Sequence, residues 1–403
     1  MITAEQPNSF LRDKSYVATA LTHFFNDLLV NGRATLVALL AVSLSLSNAQ
    51  VGLYLVLFYI GGAVAQPFFG ILIDRQGARR FVVGGVALII SMYFVAAVSS
   101  DWIALLAVTL AGVGSGAFHP AGALIVSQAS VTQRTQATAI FFGAGQIGLF
   151  VGPLLAGVFI DGFGRIGFIL LPILALIALA ASYAWVRDTK PTAQSDSSPK
   201  VELPPIDWKA IHMPTVTALI ILMIVLNTIG FAIINLVPKL LAEQAYSATY
   251  MGAAAGLVML GSAIGGVVGG RIADTVSGRM AIIVSLAGAI LPLYLYVEAS
   301  DVWRLLLITL AGFFAGMPHS VLIIAMQKLL PNREAMASGL TLGIMFFGGS
   351  LGALAIGAVA DQIGLVTALQ WMAAVPFVTL AVLPLMREST PTYPPPKGSR
   401  ADR

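Results

Sequence analysis

Apolar runs of about 20 residues recur along the whole chain, and they constrain its fold more than any other feature. In a bilayer such a run is stable as a helix, because every backbone polar group then finds a partner within its own segment. Charged residues make up only 10% of the chain, against about 25% in a soluble domain. The predicted fold class is therefore an all-α polytopic membrane protein. We predict twelve transmembrane helices, at 16–41, 51–72, 81–99, 102–127, 136–160, 166–186, 214–237, 248–270, 279–297, 303–327, 335–360 and 364–386.

Two polar segments fall outside the apolar runs. Residues 187–213 are rich in proline and serine, and they divide the predicted helices into six and six. We interpret this segment as a linker and residues 388–403 as a disordered tail. The predicted domains are a six-helix bundle at 1–186 and a second at 214–387.

Lysine and arginine are distributed unevenly between the predicted loops. With both termini on one side of the membrane, that side holds 18 of the 22 basic residues, and Arg33 lies within a helix. The other side holds only Arg165, Lys239 and Arg304. The positive-inside rule then predicts that both termini and the linker are cytoplasmic.

The two halves of the chain are similar when one is shifted by 200 residues. Each half has an even number of predicted helices, so both halves have the same orientation, and parallel repeats of this kind pack around a central substrate path. Asp27 matches Asn227, so this charge occurs in one half only. Other matched pairs are Gly52 and Gly252, Asp74 and Asp274, Gly112 and Gly312, His119 and His319, and Asp161 and Asp361.

The first predicted helix carries polar side chains inside an apolar run. His23, Asp27 and Asn31 are four residues apart and share one face, while Asn26 and Arg33 share a neighbouring face. A charge at the centre of a membrane helix costs about 2.5–3.5 kcal/mol, so we expect both charges to face protein or a water-filled cavity. The helical rise places His23 roughly 10 Å into the membrane and Asp27 one turn deeper.

A short sequence with glycine, aspartate and arginine follows the second predicted helix, and a second copy follows the eighth. The residues are Gly70, Asp74, Arg75, Gly77 and Arg79 in the first copy, and Gly270, Asp274 and Arg279 in the second. The two copies resemble the loop signature of the major facilitator superfamily, G-x-L-a-D-r-x-G-r-k. That resemblance implies the two-bundle fold of the superfamily, and it implies that these residues latch one conformation; a plain orientation signal is the alternative.

Small residues in the fifth predicted helix resemble the antiporter motif of the superfamily, G-x-x-x-G-P-x-x-G-G. The matching residues are Gly148, Gly152, Pro153 and Gly157, with Ala156 in place of one glycine. In the superfamily this motif accompanies exporters. Ordinary tight packing is the alternative, because small residues at this spacing let two helices approach closely.

Three further motifs are similar to the fosmidomycin-resistance branch of the superfamily. That resemblance implies a proton-coupled exporter of small drugs in a bacterial inner (cytoplasmic) membrane. The motifs are His23-x-x-Asn26-Asp27 in the first helix, Gln66-Pro67 in the second and Phe118-His119-Pro120 in the fourth.

Candidate site residues follow from their depth and from the superfamily, in which the first, fourth, seventh and tenth helices line the cavity. We assign proton coupling to Asp27 with His23 and His119, because histidine titrates near neutral pH. For Asp27 the alternative is a structural ion pair with Arg33 or a histidine, and for Arg33 it is a pair inside the bundle. For His119 and His319 the alternative is a hydrogen bond to a backbone carbonyl group. The candidate substrate-binding residues are Asn26, Asn31, Arg33, Gln66, Asn227, Asn235 and His319.

The predicted function is secondary active transport, as proton-coupled efflux of a small amphipathic or anionic compound by alternating access. An importer or facilitator of a small metabolite and a lipid or lipid-precursor flippase are the alternatives. The chain has no cysteine, which excludes cysteine metal sites and thiol catalysis, and no P-loop signature, so we expect no ATP-driven step. Nothing resembles a catalytic triad or a metal-hydrolase site, so we also expect no metal, no cofactor and no enzyme activity. The expected partners are a small-molecule substrate, protons and the lipid bilayer, without nucleic acid, and we expect a monomer.

Overall fold

The computed structural model describes residues 9–129, 133–188, 212–330 and 334–386, and within these ranges the chain is helical without strands. Eleven of the described helices are long and apolar enough to cross a membrane, and one shorter apolar helix completes a set of twelve. The chain is an integral membrane protein of the all-α class, as predicted. Most of the predicted linker and all of the predicted tail lie outside the described residues, so the division into domains stays a prediction.

The twelve helices overlap the twelve predicted spans and differ from them mainly at their ends. They are α1 Lys14–Ser43, α2 Asn48–Gln76, α3 Arg79–Val98, α4 Asp101–Gln128, α5 Arg134–Phe163, α6 Arg165–Trp185, α7 Met213–Glu243, α8 Ala248–Thr275, α9 Gly278–Leu295, α10 Asp301–Leu329, α11 Met336–Ile363 and α12 Leu365–Phe377. We refer to α1–α6 as the first half and to α7–α12 as the second half.

Three helices depart from regular α geometry near the centre of the protein. A π-helical turn occupies Ile60–Val64 in α2, and another occupies Ile344–Gly348 in α11. Proline removes a backbone donor, and α10 breaks before Pro318, so that a second segment begins at His319. Such irregular turns often occur at functional sites in helical proteins.

The sequence repeat is also a repeat of local structure. The hydroxyl of Ser47 accepts a hydrogen bond from the Gln50 amide at the start of α2, and Ser247 does the same for Tyr250 at the start of α8, both at 3.2 Å. The turns before these caps contain Ser45 and Ala245, each with positive φ. The same polar caps therefore begin the second helix of each half.

Close helix packing is repeated as well. A Cβ atom on Gly112 would lie 2.4 Å from the carbonyl oxygen of Phe58, and one on Gly312 would lie 2.2 Å from that of Val258. Both the glycines and their neighbours are 200 residues apart. Glycine is needed at these positions because any side chain would collide with the backbone of the second helix in its half.

The two halves contact each other at the end of the bundle that holds the turns 44–47 and 244–247, which we call the closed end. The carboxylate of Asp361, in α11, accepts hydrogen bonds from the amides of Asn48 at 2.7 Å and Ala49 at 3.0 Å. The carboxylate of Asp161, in α5, accepts them from Ala248 at 2.9 Å and Thr249 at 2.8 Å. Each half thus supplies an aspartate to a helix N-terminus of the other half, where a negative charge is favourable.

Candidate functional site

A cavity of about 1040 Å³ lies between the two halves and extends away from the closed end. Its lining comes from α1, α2, α4 and α5 of the first half and from α7, α8, α10 and α11 of the second. We expected α1, α4, α7 and α10, so the structure adds the two helices that flank them in each half. The volume fits a small organic molecule.

Asp27 lies in this cavity with a histidine on either side. Its Oδ2 atom is 3.3 Å from Nε2 of His23, and its Oδ1 atom is 3.4 Å from Nε2 of His119. His23 is one helical turn before Asp27 on α1, whereas His119 comes from α4. The structure therefore brings together the three residues that we assigned to proton coupling.

The orientation of both imidazoles is fixed by backbone carbonyl groups. Nδ1 of His23 is 2.8 Å from the carbonyl oxygen of Phe141, and Nδ1 of His119 is 2.8 Å from that of Ser115. A carbonyl only accepts hydrogen bonds, so Nδ1 must carry the hydrogen in both rings. In the neutral tautomer, Nε2 is then an acceptor that faces a carboxylate oxygen, which is also an acceptor. Each contact becomes favourable only when a proton lies on one of its two partners.

His23, Asp27 and His119 could also bind a metal ion instead of protons. Their ligand atoms all lie within 4.8 Å of one another. Two bound protons, one for each contact, satisfy both contacts without any further ligand, so the proton is the occupant that we consider below.

Asn26 supports Asp27 from the side away from the cavity. Its Nδ2 group donates to Oδ1 of Asp27 at 2.9 Å and to Oγ of Ser115 at 3.2 Å. Asn26 is fully buried and is not part of the cavity lining. In this conformation the residue before Asp27 points toward α4, because successive residues are rotated by about 100° around the helix, so the substrate contact that we expected of Asn26 stays a prediction.

Arg33 is the other charged residue of α1 in the cavity lining, and its side chain is only 2% exposed. Its guanidinium lies over the ring of Phe58, 4.0 Å from the centroid. An ion pair with Asp27 was one alternative, but Asp27 contacts the two histidines instead.

The remaining candidate substrate residues all belong to the cavity lining. The four side-chain amides among them each donate one hydrogen bond to a backbone carbonyl group, which leaves a second N–H group on each and the oxygens of all but Asn235, whose oxygen faces Arg33. These bonds are Asn31 to Leu149 at 2.7 Å, Gln66 to Gly62 at 2.6 Å, Asn227 to Met223 at 2.9 Å and Asn235 to Phe231 at 2.8 Å; His319 lines the cavity beside them.

The profile of the Major Facilitator Superfamily matches residues 19–245 and 220–403 of the sequence. The chain belongs to the major facilitator superfamily. It is 27% identical to the fosmidomycin resistance protein of Escherichia coli (strain K12) over 352 residues, which cover 86% of each chain. It is 22% identical to the quinolone resistance protein NorA of Staphylococcus aureus (strain COL) over 332 residues, covering 79% of this chain and 82% of that one. The family identifies the protein as a membrane transporter.

Solved structures of other transporters share the fold. A bacterial homolog of the human lysosomal transporter Spinster, in an inward-facing and unoccupied conformation, gives a TM-score of 0.77 at 14% identity and covers 95% of this chain and 97% of that one. A point mutant of the nucleoside transporter NupG gives 0.72 at 14% identity, covering 92% of this chain and 100% of that one.

The superfamily loop signature lies at the end opposite the closed end. Arg79 donates to the carbonyl groups of Val186 at 2.9 Å and Tyr183 at 2.7 Å, and so caps the end of α6. Gly77 has a φ of 84°, which favours glycine. Gly70 makes no close helix contact in this conformation, since a Cβ atom there would meet nothing within 4 Å. In this conformation the halves meet at the other end, so the latch role stays a prediction.

The residues that resemble the antiporter motif form close helix contacts. A Cβ atom on Gly148 would lie 2.2 Å from the carbonyl oxygen of Phe24, and one on Gly152 would lie 2.0 Å from that of Leu28. Gly157 makes the corresponding approach to Ala248 across the two halves, at 2.2 Å. The motif thus holds α5 against the helix that carries Asp27 and against α8.

We expect Gly152→Ala to destabilise the protein by about 1–3 kcal/mol, because the added methyl group overpacks the contact between α1 and α5. The measurement is the midpoint of thermal unfolding of purified protein in detergent. Gly143→Ala is the matched control in the same helix, since a Cβ atom at that position meets nothing within 4 Å. Equal midpoints for the two variants would contradict the packing role of Gly152.

Three aromatic rings of the cavity lining had no signal in the sequence. Tyr59 stacks on Phe231 with a centroid distance of 4.8 Å and on Phe346 with one of 5.9 Å, both at an interplanar angle of 17°. Because these rings come from α2, α7 and α11, they form a wall that includes both halves. In an apolar span, an aromatic residue that lines a cavity cannot be told from one that packs against lipid.

Proposed function

We propose that this transporter exports a small amphipathic or anionic compound in exchange for protons. The observation that carries the proposal is the Asp27 carboxylate held between two imidazole Nε2 atoms at 3.3 Å and 3.4 Å. Both imidazoles are oriented as acceptors when neutral, so the cluster requires at least one proton. A group that gains and loses a proton in the cavity is what coupling to a proton gradient needs.

Alternating access supplies the exchange. With the predicted topology, the closed end is the outer end, so the cavity faces the cytoplasm in this conformation. Protons bound from the outside would leave Asp27 and its histidines here, while the substrate enters from the cytoplasm. Opening of the closed end then releases the substrate and admits new protons.

The relatives favour export over import. The two characterised relatives named above carry drug resistance in their names, and resistance is what removal of a compound from the cell produces. The glycines of α5 that resemble the antiporter motif agree with this direction.

Everted membrane vesicles with an acidic interior test the proposed exchange. Fosmidomycin and a quinolone are suitable probes, since the relatives are named for resistance to them. As the compound enters the vesicle in exchange, protons leave it, so addition of the compound should dissipate the pH gradient. A pH-sensitive dye reports this change, which should occur only when the transporter is present. Expression should also lower the sensitivity of cells to the same compound. Greater sensitivity on expression, with no dissipation, would indicate import and overturn the proposal.

The predicted orientation has its own test. A cysteine at Ser197, in the predicted linker outside the described residues, should resist a membrane-impermeant thiol reagent in intact cells, because that segment is expected to be cytoplasmic. A cysteine at the exposed Ser100, before α4, should react. The chain has no cysteine of its own, so the background is clean. Comparable labelling at both sites would refute the orientation.

A further inference from the structure

Arg33 is a buried cation without a carboxylate partner. Among the residues that the structure describes, no aspartate or glutamate forms an ion pair with it. Nη1 lies 3.4 Å from Oδ1 of Asn235, and Nε has no hydrogen-bond partner. A buried charge is costly unless it is paired and hydrogen-bonded. The site therefore lacks a negative charge that a ligand could supply.

Three aromatic rings lie close to the guanidinium of Arg33, which is part of the cavity lining. The ring of Phe58 covers one face at 4.0 Å, and Tyr54 and Tyr59 lie at 5.7 Å and 5.9 Å. Aromatic rings stabilise the cation through its face, while the N–H groups that bind an anion point outward in the plane. Arginine held in this way is suited to a carboxylate, phosphonate or sulfonate group.

The proton-binding groups are separate from this cation. Arg33 follows Asp27 by six residues on α1, a rise of roughly 9 Å along the helix. Asp27 is engaged by His23, His119 and Asn26. Both Arg33 and Asp27 line the cavity, and neither is the charge partner of the other.

An apolar surface begins beside the guanidinium. Tyr59, which is a neighbour of Arg33, is the first ring of the wall formed with Phe231 and Phe346. The rings of Phe231 and Phe346 are nearly parallel to each other as well, at 22°. A flat apolar group could stack against this wall while its charged group reaches Arg33.

We infer that the substrate is an organic anion with a flat apolar body, which binds with its anionic group on Arg33 and its body against Tyr59, Phe231 and Phe346. This inference rests on the proposed function, because it takes the cavity to be the substrate path. It narrows the substrate class from amphipathic or anionic compounds to those that are both, and it makes Arg33 the residue that selects for charge.

Equilibrium binding to the purified full chain tests this inference without any gradient. The probes are 2-naphthoate, neutral 2-naphthamide and cationic 2-naphthylmethylammonium, which share one ring system, with propionate as an anion that has no ring. A charge-assisted hydrogen bond corresponds to about 10- to 100-fold in affinity, so 2-naphthoate should bind tighter than the amide by that factor and than the cation by more. It should also bind tighter than propionate, which cannot reach the aromatic wall.

Two substitutions assign the preference to Arg33. Arg33→Gln should bring the affinities for 2-naphthoate and 2-naphthamide to within about threefold of each other, whereas Arg33→Lys should retain part of the difference because it keeps the charge. The thermal unfolding midpoint of each variant shows whether it is folded. If Arg33→Gln does not fold, the affinities of the unaltered protein and of Arg33→Lys for the same probes still show whether anions are preferred and whether the preference depends on residue 33.

Two results would overturn the inference. One is equal binding of 2-naphthoate and 2-naphthamide to the unaltered protein, and the other is an unchanged ratio in folded Arg33→Gln. Neither result concerns proton exchange, which the vesicle measurement tests separately. A transporter that binds the anion but ignores the pH gradient would leave this inference intact and remove the proposed coupling.

Discussion

Asp27→Asn is expected to abolish substrate accumulation driven by a pH gradient, down to the level of vesicles without protein. The side chain keeps its size and most of its hydrogen bonds, because Asn26 can still donate to its oxygen. It loses the ability to take up a proton, and with it the charge that stabilises a protonated His23 or His119. Downhill exchange of substrate across the same vesicles should continue, since that exchange requires the cavity and not the gradient.

His119 and His319 occupy matching positions in the two halves, so their substitution provides a matched comparison for the coupling prediction. His119→Gln removes a direct partner of Asp27 and should change the shape of the pH profile of transport. His319→Gln removes the corresponding residue of the second half, which lines the cavity without a described contact to a carboxylate. That variant can alter substrate affinity but should leave the shape of the pH profile unchanged.

Full gradient-driven accumulation by Asp27→Asn would exclude Asp27 from coupling. The metal alternative is checked in the same assay, because a chelator should not change transport by the unaltered protein. Loss of transport in the chelator, restored by zinc, would assign the cluster to a metal ion instead of a proton.

Replacement of both Asp161 and Asp361 by asparagine should open the closed end. Each carboxylate accepts two amide hydrogen bonds from a helix N-terminus of the other half. An asparagine keeps one acceptor, but its NH₂ group then faces an amide donor. Each substitution removes about 1 kcal/mol from the stabilisation of the closed end. The double variant therefore shifts the equilibrium between the conformations with this end closed and open by roughly 30-fold.

Distances between spin labels at Ser45→Cys and Ala245→Cys report this shift. Both residues are exposed, belong to different halves, and lie in the turns of the closed end. The double asparagine variant should add a population with a longer distance. Asp101→Asn is the control, because Asp101 binds Arg165 and Ser43 within the first half alone. An unchanged distance distribution in the double variant would show that the two aspartates do not hold the halves together.

The sequence predicted the fold and the proximity of His23, Asp27 and His119, while their role in proton coupling stays a prediction. Helices in lipid require long apolar runs, so each span left a local signal. His23 and Asp27 are four residues apart on one helix, and His119 lies at a similar depth on another. Their spacing and depth therefore predicted that the three residues lie close together.

Other parts of the site depend on contacts between distant helices and left no local signal. Whether Asn26 faces the cavity or α4 depends on how α1 is rotated in the bundle. The aromatic wall and the exchange of Asp161 and Asp361 between the halves depend on how the two halves dock. The sequence could place Arg33 in the membrane, but only the packed structure shows that no described carboxylate accompanies it.

The helix caps and close helix contacts occur in both halves of the repeat, whereas the His23 and Asp27 pair occurs only in the first half. The aspartate caps and the glycine contacts occur twice, whereas the counterparts of His23 and Asp27 are Met223 and Asn227. In the proposed exchange, the two halves would rock against each other as a nearly symmetric pair, and only the first half would bind the proton. A descendant of this chain could change its driving ion, or become a passive carrier, through two or three substitutions in α1 and α4 while the caps and close helix contacts stay unchanged. The driving ion of such transporters could then change in evolution while their fold is kept.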